Sequence, residues 1–233
     1  LTLPDGDTVT ATANAAGDFE LELPSAYTGG ETFQLMAADN VGNPSATLPV
    51  TAPTAPSAGD VRFITAEDTG IVITKADLLA QTSDPDSPHL DITSIGLTDP
   101  ATGSLVDNGN GTWTYQPVPD FNAEAVALNF TVSDGALIDS GIATIRVTPV
   151  NDTPSVGLAL TTQLAVEDEV FEYTIPEGTF VDVDGDDLSL SVEELPDGLS
   201  FDPVTGTISG TPTVPGNYTV TVTADDGNGG SVS

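Results

Sequence analysis

Apolar and β-branched residues recur at every second position in short runs: TVTATA at 8–13, FELELP at 19–24, IATIRVTPV at 142–150 and YTVTVTA at 218–224. A period of two places one row of side chains on each face of an extended strand, so these runs read as half-buried β-strands. Gly, Pro, Asn and Asp interrupt them at short intervals, as tight turns between antiparallel strands require. DNGNGTWTY at 107–115 reads as a hairpin, because Asn-Gly supplies the positive φ of a primed turn. Only ITKADLLAQ at 73–81 has a helical period, over about two turns. Many short strands without intervening helices predict an all-β chain of antiparallel β-sandwiches.

A length of 233 residues leaves room for two or three such domains. TAPTAPSAGD at 51–60 lacks any period and is rich in Pro, Ala and Ser, as a linker is. TPVNDTPSV at 148–156 ends one strand run and precedes the next, with Pro149 and Pro154 flanking Asn151 and Asp152. The predicted domains are therefore 1–52, 58–150 and 153–233, the first truncated at its N-terminal side and the last at its C-terminal side. Residue 1 falls inside a pattern with no basic leader, so the chain reads as an internal piece of a longer protein.

Charge narrows the function classes. There are 36 acidic side chains against three basic ones (Arg62, Lys75 and Arg146), for a net charge of −33. Such a chain repels nucleic acid and anionic membrane surfaces, and its folded state is under self-repulsion unless cations offset the carboxylates. No apolar run is long enough to cross a bilayer. Cysteine is absent, which removes disulfides, thiolate catalysis and cysteine-ligated zinc.

The carboxylates are not scattered evenly. TSDPDSPHLDI at 82–92 aligns without gaps on FVDVDGDDLSL at 180–190, placing Asp84 on Asp182, Asp86 on Asp184 and Ile92 on Leu190. Upstream, AEDTG at 66–70 matches VEDEV at 166–170, so Glu67 pairs with Glu167. Downstream, TVSDG at 131–135 matches TADDG at 223–227, so Asp134 pairs with Asp226. Each unit thus carries Glu, Asp-x-Asp and Asp-Gly in one order. Calcium is a hard cation that takes six to eight oxygens, and carboxylates two residues apart in an extended loop can share one ion. An EF-hand would use Asp182, Asp184, Asp186 and Glu193. It would also need Gly where Asp187 stands, and helices where LSLSVEELP reads as a strand, so that motif is set aside.

The middle piece, from ITAEDTGIVITKADLLAQTSDPDSPHLDI through NGNGTWTYQPVPDF and FTVSDG to VTPVNDTP, resembles the cadherin-like repeats of giant bacterial surface adhesins of the RTX type. LPDGLSFDPVTGTISGTPTVPGNYTVTVTADDG in the third piece resembles the dystroglycan-type cadherin-like module. GDFELELPSAYTGGETFQLMAADNVGNPS in the first is similar to a bacterial Ig-like adhesin repeat. The resemblance implies calcium held between consecutive domains. One junction would use Glu67, Asn151, Asp152, Asp182, Asp184 and Asp226. The other would use Asp84, Asp86 and Asp134, joined by Asp60, with Glu167 serving a following domain. One or two ions per junction are expected, since the first linker lacks an Asn-Asp pair and no Leu-Asp-Arg-Glu segment is present.

The implied function is a calcium-rigidified extender of a bacterial surface adhesin, extracellular at the cell surface or secreted, whose partners are calcium and neighbouring domains of the same chain. The alternative is a third domain that binds polysaccharide, a cell-surface glycan or another partner in a calcium-dependent way. Catalysis is not expected. Paired carboxylates serve glycoside hydrolases, but here the acids recur as a feature of each unit. His89, the one histidine, lies in an acidic loop without the geometry of a Ser-His-Asp triad. Trp113 and Tyr115 share a strand face and read as core side chains before a sugar platform. Glu20, Glu22, Glu193 and Glu194 read as a solvated face.

Overall fold

The computed structural model describes residues 1, 9–12, 30–38 and 42–233. The predicted strand at 19–24, with Glu20 and Glu22, lies outside the described residues; of the run at 8–13, residues 9–12 are described and form no strand. The chain is nearly all β and divides into two compact units, Leu1–Thr148 and Pro149–Ser233. Among the described residues no helix is long and apolar enough to cross a membrane.

In the first unit, β1 (Thr32–Leu35) pairs antiparallel with β2 (Leu48–Thr51), and Phe33 and Ala52 form a small buried cluster with Leu1 and Val9 against it. The sandwich follows from β3 (Ser57–Ala58), β4 (Val61–Ala66), β5 (Ile71–Thr74), α1 (Lys75–Leu79), β6 (Thr82–Ser83), β7 (Asp91–Leu97), β8 (Gly103–Asp107), β9 (Thr112–Pro117), β10 (Ala123–Ser133) and β11 (Ile138–Thr148). One sheet has the order β4-β11-β10-β7 and the other β5-β9-β8, with β3 paired to β6.

Alternation fixes which faces meet. Val126, Leu128, Phe130 and Val132 of β10 are buried, as are Ala143, Ile145 and Val147 of β11. Ile73, Trp113 and Tyr115 of the opposing sheet complete the same cluster. Burying each of the large members contributes about 1.5–3 kcal/mol. Trp113 and Tyr115 are therefore core, and the Tyr115 hydroxyl donates to the Thr102 carbonyl at 2.8 Å. Burial raises the Tyr115 phenol above its ordinary pKa.

The hairpin foreseen at 107–115 forms with a four-residue connection, Gly109 and Gly111 taking φ of 75° and 77°. The helix foreseen at 73–81 is shorter, Lys75–Leu79. Thr74 caps it by accepting from the Asp77 amide, and the Asp77 carboxylate accepts from the Thr74 amide. That reciprocal cap sets the start, and only Leu78 of its face is buried.

The second unit contains β12 (Ser155–Val156), β13 (Phe171–Thr174), β14 (Phe180–Val181), β15 (Ser189–Glu193), β16 (Leu199–Asp202), β17 (Thr207–Gly210), β18 (Thr221–Asp225) and β19 (Ser231–Val232). Its sheets run β13-β17-β16 and β15-β18-β19, with β12 beside β14. Ile175, Ile208, Val222 and Ala224 are its buried apolar residues. GLSFDPVTGTISG becomes the β16–β17 hairpin, in which Asp202 accepts from the Val204 amide at 3.0 Å and the Thr205 hydroxyl at 2.9 Å. These bonds hold the Asp202 carboxyl below its ordinary pKa, the Val204 amide most of all. Gly198 (φ 92°) and Gly210 (φ 143°) face one another so closely that a Cβ on Gly198 would lie 2.0 Å from the Thr211 carbonyl oxygen. Glycine is required there by backbone contact as well as by φ.

Candidate metal centres

Each Asp-x-Asp stretch folds into a turn closed by its own first carboxylate. Asp84 Oδ1 accepts from the amides of Asp86 (2.9 Å) and Ser87 (2.8 Å). Asp182 Oδ1 accepts from the amides of Asp184 (2.9 Å) and Asp186 (3.4 Å). An aspartate offered nearby amides in a glycine-containing or proline-containing loop takes this arrangement in preference to an extended one. The expected straight segment is thus replaced by a turn. In both loops the other oxygen, Asp84 Oδ2 and Asp182 Oδ2, is buried with no hydrogen-bond partner.

The second aspartate of each pair reaches back to the preceding linker. Asp86 accepts from the Thr54 amide at 3.1 Å through Oδ2 and 3.3 Å through Oδ1. Asp184 Oδ2 accepts from the Asp152 amide at 2.7 Å. The two linkers share no obvious sequence, yet each donates one backbone N–H to the same repeat position.

Asp226 is buried and ties the linker from the other side. Its Oδ2 accepts from Asn151 Nδ2 at 2.9 Å, and its Oδ1 from the amides of Asn228 (2.7 Å) and Gly230 (2.9 Å). The Asn151 amide, followed by these backbone donors, holds the Asp226 carboxyl below its ordinary pKa. The Asp86 backbone amide does the same for Asp84, with Ser87 adding to it. In the first unit Asp134 Oδ1 accepts from the amides of Ala136 (2.7 Å) and Leu137 (2.6 Å), closing the counterpart loop.

Carboxylate oxygens of Asp182, Asp184 and Asp186 lie within 4.8 Å of one another. In the sequence Asp186 belongs only to the EF-hand-like pattern and has no counterpart in the repeat. Its carboxylate joins the group because Gly185 takes φ 78° and curls the loop, and Asn228 Nδ2 then donates to Asp186 Oδ2 at 2.8 Å. The signal for it was the Asp-Gly-Asp spacing. Asp187 is exposed. In the first unit the position of Asp186 is occupied by Pro88, and among the described residues no third carboxylate joins Asp84 and Asp86 into such a group within that unit.

Glu67 is buried in the first unit and its amide donates to the Thr148 carbonyl at 2.9 Å; Glu167 is exposed in the second. The residues after them, Asp68 and Asp168, share positive φ values of 56° and 60°, a conformational match to the sequence repeat. Asp60 is exposed between β3 and β4, and His89 is exposed with its amide 3.4 Å from the Ser87 hydroxyl.

The chemistry of the set suits a hard divalent cation. All donors are oxygens, several are carboxylates at close range, and two of the buried oxygens lack a hydrogen-bond donor.

Comparison with known families gives three consecutive matches. Residues 1–54 match the bacterial Ig domain, residues 50–148 the cadherin-like domain and residues 149–233 the putative Ig domain. No curated protein matches the chain. Solved structures with a similar course include the protocadherin GammaB4 extracellular domain, at 16% identity over 95% of this chain and 40% of that one, with a TM-score of 0.46. The human desmocollin-1 ectodomain follows at 13% identity over 83% of this chain and 42% of that one, TM-score 0.36. An endo-fucoidan hydrolase of glycoside hydrolase family 107 matches at 23% identity over 96% of this chain and 36% of its own, TM-score 0.32. The chain spans less than half the length of each of these structures.

Proposed function

We propose that the chain is a non-catalytic extender of an extracellular bacterial adhesin of the RTX type, stiffened by calcium bound in its acidic loops. Tandem bacterial Ig and cadherin-like domains support the extender part of this reading. The observation that carries the calcium part is the pair of buried oxygens, Asp84 Oδ2 and Asp182 Oδ2, with no hydrogen-bond partner at equivalent positions of two loops. A buried anionic oxygen without a donor is costly, and a cation beside it removes the cost. In the second unit the ligands would be Asp182, Asp184 and Asp186, with Asn151, Asp152 and Asp226 as the surrounding oxygen donors. Asp84, Asp86 and Asp134 would serve the first unit, and Glu67 keeps its place in the ligand set through its repeat position.

Stiffening follows from where these groups are anchored. Asn151 and Asp152 are bonded to Asp226 and Asp184, so the residues that begin the second unit are held by the loop that would take the ion. Calcium would neutralise carboxylates that otherwise repel one another and loosen that hold. Extracellular calcium modules bind at about 10⁻⁴–10⁻³ M. At free calcium of about ten times Kd, each site adds roughly 1.4 kcal/mol. That is modest for folding and sufficient to bias a four-residue linker flanked by Pro149 and Pro154. Small-angle scattering of the full chain tests the reading: calcium should narrow the distribution of particle dimensions relative to chelator. Superimposable curves at saturating calcium and in chelator would reject it.

A further inference from the structure

Three Asn-Gly pairs occur in the chain, at 108–109, 110–111 and 228–229. Such a pair can close on itself, because glycine presents its backbone nitrogen to the preceding side chain with no Cβ in the way. Closure needs an electrophilic side-chain carbonyl, an amide nitrogen free to leave and a backbone N–H free to attack. The fold distributes these conditions unequally among the three pairs.

Asn108 and Asn110 share the connection between β8 and β9, and one hydroxyl sets them apart. Asn108 Nδ2 donates to Thr112 Oγ1 at 2.9 Å and to Thr114 Oγ1 at 3.1 Å. The Thr112 hydroxyl accepts on that side and donates on the other, to Asn110 Oδ1 at 2.7 Å. A hydroxyl carries a single hydrogen, so the relay runs one way and each bond polarises the next. Asn108 is its donor end and Asn110 its acceptor end.

The other groups at Asn110 are free to react. Asn110 is exposed, and among the described residues neither its Nδ2 nor the Gly111 N–H has a hydrogen-bond acceptor. Gly111 takes φ 77°, and the nearest atom to a Cβ built there is Lys75 Cβ at 3.8 Å, so the approach is open. The Gly111 carbonyl accepts from the Lys75 amide at 2.9 Å, which ties this turn to the start of α1. The other two pairs lack the combination. Gly109 donates its amide to Asp107 Oδ1 at 2.8 Å, and Asn108 Nδ2 is held by two hydroxyls. At the third pair Asn228 Nδ2 donates to Asp186 Oδ2 at 2.8 Å, and the Gly229 amide is turned to the Asp226 carboxylate.

We infer that Asn110 is a self-modification site, at which the folded hairpin promotes loss of the side-chain amide with water as the only co-reactant. The Gly111 nitrogen bonds to Asn110 Cγ, and the Cγ–Nδ2 bond breaks. The proton of the Gly111 N–H passes through water to the departing nitrogen, which leaves as ammonia. Water then opens the cyclic imide, and no electron is exchanged in either step. Attack at Cγ leaves aspartate at position 110. Attack at the main-chain carbonyl leaves an isoaspartyl link, in which the backbone runs through Cβ and Cγ. Negative charge gathers on Oδ1 as the Gly111 nitrogen attacks, and the Thr112 hydroxyl is already placed on that atom. The aspartyl product keeps the same donor and gains a charge-assisted bond. The isoaspartyl product lengthens the turn and disturbs the Lys75 bond to Gly111.

The test holds the full chain at mildly alkaline pH, folded and in concentrated urea, and follows each Asn-Gly pair by peptide mapping with mass spectrometry. In the folded chain Asn110 should convert about tenfold faster than Asn108 and Asn228, the effect of one hydrogen bond to a developing charge. In urea the three rates should converge. Thr112→Ser keeps the hydroxyl and should keep the folded rate, whereas Thr112→Val removes it and should slow Asn110 by about tenfold. Hydrogen exchange at the Lys75 amide should quicken in the isoaspartyl fraction. Folded-state conversion of Asn110 no faster than that of Asn108 or Asn228 would overturn the site. The same preference persisting in urea would overturn the role of the fold, and equal rates in Thr112→Ser and Thr112→Val would overturn the role of the hydroxyl.

Discussion

Asp182→Asn separates the two states of the acidic loop, because its effect should change sign with calcium. Asparagine keeps the Oδ1 acceptor that closes the turn on the Asp184 and Asp186 amides, and it replaces the unpartnered Oδ2 with a donor. Oxygens of Asp182, Asp184 and Asp186 lie within 4.8 Å, so two like-charge pairs vanish. At that separation each pair repels by about 0.9 kcal/mol in water, and screening at physiological salt roughly halves it. Relief of about 1–2 kcal/mol is expected in chelator, since the loop is only partly desolvated. With calcium, the variant should forfeit the roughly 1.4 kcal/mol that tenfold saturation supplies. For a unit of this size about 1 kcal/mol moves the melting temperature by roughly 4–8 °C. Scanning calorimetry of the full chain in chelator and in millimolar calcium would read both shifts. The variant should melt above the wild type without calcium, and the wild type should recover that deficit or pass the variant with it. A variant less stable in chelator, with its calcium gain intact, would refute the repulsion argument and the ligand assignment together.

Three further outcomes follow from the same geometry. Asn151→Ala removes the main group that depresses Asp226, so in chelator it should destabilise the second unit and speed exchange at the Asp152 amide. Because the folded Asp226 pKa is lowered, the stability difference between wild type and Asn151→Ala should be full above about pH 4 and shrink as pH falls through the folded value; calorimetry across pH 2.5–7 checks the sign. Gly198→Ala should lower the melting temperature of the second unit by the equivalent of about 1–3 kcal/mol, since its Cβ meets the Thr211 carbonyl. Gly227→Ala, with positive φ but nothing within 4 Å, should cost less.

The sequence shows the strands best where one face is deeply buried. β10 and β11 follow their alternation closely, and Trp113 and Tyr115 sit where a shared inward face puts them. YTVTVTA is strand only from Thr221; among the described residues no strand pairs with Tyr218–Val220. The repeat identified Asp84, Asp86, Asp182 and Asp184, whose local turns depend on neighbours two to four residues away. It missed Asp186, whose place depends on the φ of Gly185. It also missed the amides of Thr54 and Asp152, since any residue can supply a backbone donor and no side chain marks it.

The calcium account rests most directly on binding. Isothermal titration of the full chain with calcium, beside an Asp84→Asn, Asp182→Asn double variant, measures it. Saturable binding at about 10⁻⁴–10⁻³ M is expected for the wild type, with most of the heat lost in the double variant. No saturable binding by the wild type up to about ten times that range, or equal binding by both proteins, would contradict it.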